Sequence, residues 1–164
     1  MAFRVNKTAK VTLYAGADSI EVDVDVGDFN FDGLSQDGFE ATEVVLRRMH
    51  RGMVAGNPVV VTGSFSYKFE NESITDPVNP RIFDFIRKEG SFSGRVSTGA
   101  ACDPDQIGIK YEQTLCPSGT AGYNFKLCRV TVGYDESADD GATITVNFSA
   151  YNTDSTDGFE VITA

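Results

Sequence analysis

The chain has 164 residues, 41% of them hydrophobic, with 24 Asp and Glu against 14 Lys and Arg and a formal net charge of −10. That length can bury a core without disulfide or metal staples, and we expect a single domain over residues 1–164. The acidic balance excludes tight nucleic-acid binding, which depends on neutralising phosphates with Lys and Arg, but not a surface that lies beside DNA without holding it.

In chain order, Val11 and Leu13 continue a first strand. Ile20-Glu-Val-Asp-Val-Asp-Val26 follows, with an apolar residue and an acid taking turns. Successive side chains of a strand point to opposite faces, so Ile20, Val22, Val24 and Val26 should face the core and Glu21, Asp23 and Asp25 the other side. Residues 27–33 extend or bulge this strand, and Gly33 to Gly38 reads as a loop. The segment Glu43–Met49 fits a strand or a short helix by pattern, with strand preferred. Val59, Val61, Gly63, Phe65, Tyr67 and Phe69 mark a long strand.

One helix stands out over about residues 79–89. Asn79 can cap it, Pro80 suits its first position and Gly90 can end it. Ile82, Phe83, Phe85 and Ile86 supply an apolar face, and Arg87 and Lys88 sit where the helix dipole favours cations. Ile107–Thr114 and Tyr123–Tyr134 are strands. The apolar phase of the second shifts near Leu127-Cys128, which predicts a bulge. Residues 135–141 form a hairpin loop before Ile144, Val146 and Phe148. One short helix among about seven strands predicts a mainly β fold, an antiparallel β-sandwich or barrel with one flanking helix.

Chemistry-bearing motifs are sparse. Cys102, Cys116 and Cys128 are odd in number and irregular in spacing, which favours reduced, packed thiols; a Cys102–Cys116 disulfide would need an oxidising compartment. No Cys-x-x-Cys occurs and His50 is the single histidine, which disfavours a zinc site, and its place in Arg47-Arg48-Met49-His50-Arg51 is a cationic setting that does not suit a base. The acids from Asp23 to Asp28 alternate on an extended strand and not within a tight calcium loop. No phosphate loop occurs. We therefore expect no enzyme activity, no catalytic residue and no cofactor or metal. No run of about 18 apolar residues occurs, so no spanning helix and no membrane partner is expected. The first residues lack the apolar core of a secretory leader, which makes the cytoplasm the expected place of folding.

Charge is unevenly placed. Nine acids and no Lys or Arg lie between Val11 and Leu46, and seven more acids without a base follow Arg129. Between them stands the basic cluster Arg47, Arg48 and Arg51. It reads either as a solvated edge or as a patch that complements the acidic surface of another copy.

The stretch Arg51-Gly-Met-Val-Ala-Gly-Asn-Pro-Val-Val-Val-Thr-Gly-Ser-Phe-Ser-Tyr-Lys-Phe resembles the major tail tube proteins of long-tailed bacteriophages. Val26-Gly-Asp-Phe-Asn-Phe-Asp-Gly-Leu and the helix Pro80-Arg-Ile-Phe-Asp-Phe-Ile-Arg-Lys fit the same layout, and the order of elements matches from Val11 to about Tyr151. The resemblance implies two antiparallel sheets with a flanking helix, assembled as rings of six that stack into a virion tail tube built in the host cytoplasm. Glu21, Asp23 and Asp25 would then face the lumen and repel DNA that passes through without specific binding. Gly33–Gly38 and the region from Arg47 to Gly56 would be loops reaching neighbouring subunits. Tape-measure and tail-end proteins would be further partners. The competing readings are a β-sandwich binding or adhesin module and another virion protein, such as a capsid decoration subunit. The absence of Trp weakens the binding module, since such modules present exposed aromatic platforms.

Overall fold

The computed structural model of the protein describes residues 8–25, 28–34, 39–68, 82–87, 107–115, 119–139, 141–151 and 158–163. Among them run β1 (Thr8–Ala15), β2 (Asp18–Asp25), β3 (Asn30–Asp32), β4 (Phe39–Leu46), β5 (Met49–Pro58) and β6 (Val61–Lys68). Then come α1 (Ile82–Arg87), β7 (Ile107–Thr114), β8 (Thr120–Ser137), β9 (Gly141–Ala150) and β10 (Phe159–Thr163). Eight strands form one antiparallel sheet in the order β2-β1-β7-β8-β9-β6-β3, with β10 also paired to β8. β4 and β5 form a separate two-stranded sheet. The large sheet curls until β2, at one end of it, contacts β6. The expected mainly β fold is the one observed.

Period-two patterning explains the curl. Val11 and Leu13 on β1, Ile20 and Val24 on β2, Val61 and Phe65 on β6, Ile109 on β7 and Ile144, Val146 and Phe148 on β9 are all buried in one cluster. Their neighbours in sequence point outward, as strand geometry requires. β1 and β2 turn back through Gly16-Ala17, and Gly16 at φ 66 adopts the positive angle that opens a tight two-residue hairpin. The 27–33 segment ends as β3, which pairs Asn30 with Ser64 and Asp32 with Thr62. From it Phe29 stacks on Tyr111 at 4.5 Å between centroids, and Phe31 meets Phe125 edge-on at 5.2 Å. Both rings plug the core that the curled sheet encloses.

The phase shift in β8 is a bulge. Ile109 pairs with Phe125 but Ile107 with Cys128, so β8 carries one residue more than β7 over the same span. Core-facing positions accordingly switch from Phe125 to Cys128, three apart, and both are buried. The bulged backbone finds partners off the ladder: Lys126 N donates to Gly158 O at 2.8 Å, and Leu127 O accepts from Tyr151 N at 2.8 Å.

Several boundaries differ from expectation. β6 starts at Val61, and Val60 is exposed. Residues 43–49 do not form one strand: β4 ends at Leu46, Arg47 and Arg48 turn, and Met49 begins β5. In α1, Ile82 is buried and Phe83 packs against the core, but Ile86 is 42% exposed, so the apolar face is narrower than the pattern suggests. Asp84, in the first turn, is buried instead. Asn79, Pro80, Lys88, Gly90, Val26, Phe69, Cys102, Cys116 and residues 35–38 lie outside the described residues. No helix among the described residues is long and apolar enough to cross a membrane.

Candidate functional site

The acidic row occupies an outer strand of the large sheet. Glu21, Asp23 and Asp25 are exposed, while Ile20 and Val24 are buried and Val22 packs against the core, so the alternation places side chains as read. Among the described residues β2 pairs with β1 alone, which leaves its other backbone edge without a ladder there. One feature of the row escaped the charge pattern. Lys10 stands opposite Asp23 in the register, and its Nζ donates to Glu21 Oε2 at 2.9 Å. The hydrogen bond to Glu21, followed by that carboxylate's charge, raises the Lys10 pKa. Lys10 precedes the base-free stretch by one residue in sequence, yet strand pairing brings it into the middle of the acids. Asp23 and Asp25 continue the acidic surface into an open cleft of about 340 Å³ beside Asp28, Ser66, Tyr67, Lys68 and Thr143.

The basic cluster sits on the β4–β5 hairpin. Arg47 and Arg48 are the two central residues of its turn, at φ 51 and 64, the positive angles that a type I′ turn demands. This corrects the expectation of a loop from Arg47 to Gly56: two residues turn, and the rest is strand. Arg51 is the extra residue of a bulge, because Val44 pairs with Gly52 and Val45 with His50. Gly52 takes φ 134 there, an angle that L side chains disfavour. Arg47, Arg48 and Arg51 are exposed, and none pairs with an acid among the described residues. His50 Nδ1 lies 2.7 Å from Glu43 Oε1 across the hairpin, both half-exposed. The hairpin also carries much of the exposed apolar surface: Val44, Val45, Leu46, Met49, Met53 and Val54 stand 37–69% in water.

A third surface is polar and uncharged over most of its width. An open groove of about 570 Å³ on the outer side of β3, β6, β9 and β8 is lined by hydroxyls and amides such as Ser64, Asn147 and Thr131, with Asp32 and Arg129 among them. Tyr151 stands at its rim, 43% exposed. No convergent set of three or more His, Cys, Asp and Glu side chains that could hold a metal occurs among the described residues.

With this geometry in hand, one solved structure is informative. The cap that terminates the tube of the anti-feeding prophage, determined by cryo-electron microscopy, superposes with a TM-score of 0.52 at 12% identity, covering 94% of this chain and 88% of that one. The likeness is one of fold. No protein-family model and no curated protein sequence matches the chain. The chain therefore shares the fold of that tube-terminating cap.

Two buried groups complete the picture. Cys128, 2% exposed, is a free thiol pushed up to about 12 by burial, which keeps it neutral and unreactive. Gln113, 1% exposed, has neither its Nε2 nor its Oε1 hydrogen-bonded among the described residues. Gln113 stands in the period-two phase of Ile109 and Tyr111 on β7, so alternation marks it as inward-facing where its polarity suggests the opposite.

Proposed function

We propose that this chain is a structural subunit of a phage-type tail tube, self-associating into rings that stack around a passage for DNA. The observation that carries the reading is the fold shared with a tube-terminating cap joined to a hairpin whose basic tip and apolar sides have no partner among the described residues. In an assembly the hairpin would reach a neighbouring copy, with Arg47, Arg48 and Arg51 meeting its acidic surface. Six copies per ring is the number the tail-tube resemblance implies. Glu21, Asp23 and Asp25 would face the lumen, where carboxylates keep phosphates from adhering. Tape-measure and tail-end proteins would be the other partners, the virion tail the location, and chemistry no part of the role.

A second reading follows from the neighbour itself, which is a terminating cap. In that reading the subunit forms one ring at a tube end and not the repeating wall. Negative-stain electron microscopy of the purified protein separates the two: stacked rings or tubes support the wall, isolated rings the cap, and monomers at every concentration and salt remove both. The triple change Glu21→Lys, Asp23→Lys, Asp25→Lys tests the lumen. The fold should survive because all three side chains are exposed, and the assembly should acquire salt-sensitive DNA retention. Assembled particles that ignore DNA as the parent does would rule out the charged lumen.

A further inference from the structure

The hairpin of β4 and β5 has two unlike faces, and the ladder register separates them. Residues directly opposite in an antiparallel pair share a face. Thr42 pairs with Val54, Val44 with Gly52, and Leu46 with Met49, so one face reads Thr42, Val44, Leu46, Met49, Gly52 and Val54. The other pairs Glu43 with Met53 and Val45 with His50. From Thr42 to the turn none of the paired residues on the first face is charged, Arg51 being the unpaired residue of the bulge. The face is also open at its centre, since a side chain built on Gly52 would meet nothing within 4 Å. The second face holds the Glu43–His50 contact at 2.7 Å, and covering it would desolvate two ionisable groups.

We propose that the Val44, Leu46, Met49 and Val54 face is buried against the body of a second copy of this chain, while the Glu43–His50 face stays in water. The proposal rests on the tube reading, which supplies the second copy, and goes beyond it in assigning which face makes the contact. Charge identifies the occupant. The hairpin holds three Arg against two Glu, leaving 22 acids against 11 bases on the rest of the chain. The strongest electrostatic match for a basic tip beside an apolar face is thus another acidic body of the same kind. Val44, Leu46, Met49 and Val54 are 37–56% exposed in the isolated chain, surface that association would remove from water.

The test compares single aspartates on the two faces by sedimentation velocity and negative-stain microscopy. Leu46→Asp and Val54→Asp should raise the concentration needed for assembly by about tenfold or more, the effect of losing one buried aliphatic contact. Val45→Asp and Met53→Asp, at positions 55% and 69% exposed, should leave that concentration within about twofold, as surface changes do. Leu46→Ala and Val54→Ala should follow their aspartates in weaker form, and far-ultraviolet circular dichroism should show every variant folded. Aspartates that act alike on both faces, or that act only at Val45 and Met53, would overturn the assignment. Leu46→Asp and Val54→Asp particles assembling like the parent would give the face to some other protein and overturn it too. A parent that never assembles would instead remove the tube reading, and the second copy with it.

Discussion

Gln113→Met should stabilise the protein. Gln113 sits 1% exposed on β7, in register with Ala121 of β8, and neither side-chain polar atom has a partner among the described residues. An unsatisfied buried donor or acceptor costs about 1–3 kcal/mol, and methionine has nearly the same length and volume with no polar atom to desolvate. Taking the lower end for each of the two atoms gives a gain of about 2 kcal/mol. For a chain of this size that corresponds to a rise in Tm of roughly 4–8 °C. Differential scanning calorimetry on the dissociated protein reads it directly. Gln113→Glu should act in the opposite sense, and with a pH signature. Burial raises the pKa of the new carboxyl in the folded state above its unfolded value of about 4.3. The variant is then closest to the parent below that pH and loses stability as pH rises through the folded value. A methionine variant that melts at or below the parent would show that the amide has a partner, and would refute the reasoning.

Val24→Asp places a charge at a position 1% exposed; with lost apolar burial added, a cost of several kcal/mol should unfold or aggregate the protein, read by the loss of cooperative melting. The Cys128 thiol, held at about 12, should resist a thiol reagent at pH 8 until denaturant is added. Its folded pKa lies above the ordinary 9.0, so its contribution is complete below pH 9 and is lost as pH climbs toward 12; urea titrations at pH 8 and pH 10.5 check the sign. His50→Ala should leave assembly and melting within about 0.5 kcal/mol of the parent, because His50 and Glu43 meet in water; a hydrolase or transferase activity abolished by it would overturn the structural role.

What the sequence made legible was whatever burial imposes on one side only. β2 alternates cleanly because its outer face is wet, and β8 shows its bulge because a single extra residue shifts the parity of every core position after Phe125. The hairpin was hidden for the converse reason. Val44-Val45-Leu46 reads as core, since a side chain waiting for a partner has the same hydrophobicity as one already covered. Its turn lacked the usual Asn-Gly signal and uses two arginines at positive φ instead. Lys10 was missed because proximity in a sheet is set by register, not by distance along the chain. Ile86 and Gln113 break the rule in opposite directions, one apolar and wet, the other polar and dry. Helical periodicity and polarity describe only the average environment of such residues.

The bulge in β8 also has a mechanical side. Without it, one strand could not keep its apolar side chains inward while pairing with β7 and β10 over its first half and with β9 over its second. With it, 18 residues run uninterrupted through both halves of the sheet, roughly 60 Å at 3.3 Å per residue. A pull along that direction loads covalent backbone across the length of the subunit, and the hydrogen bonds beside it only in shear.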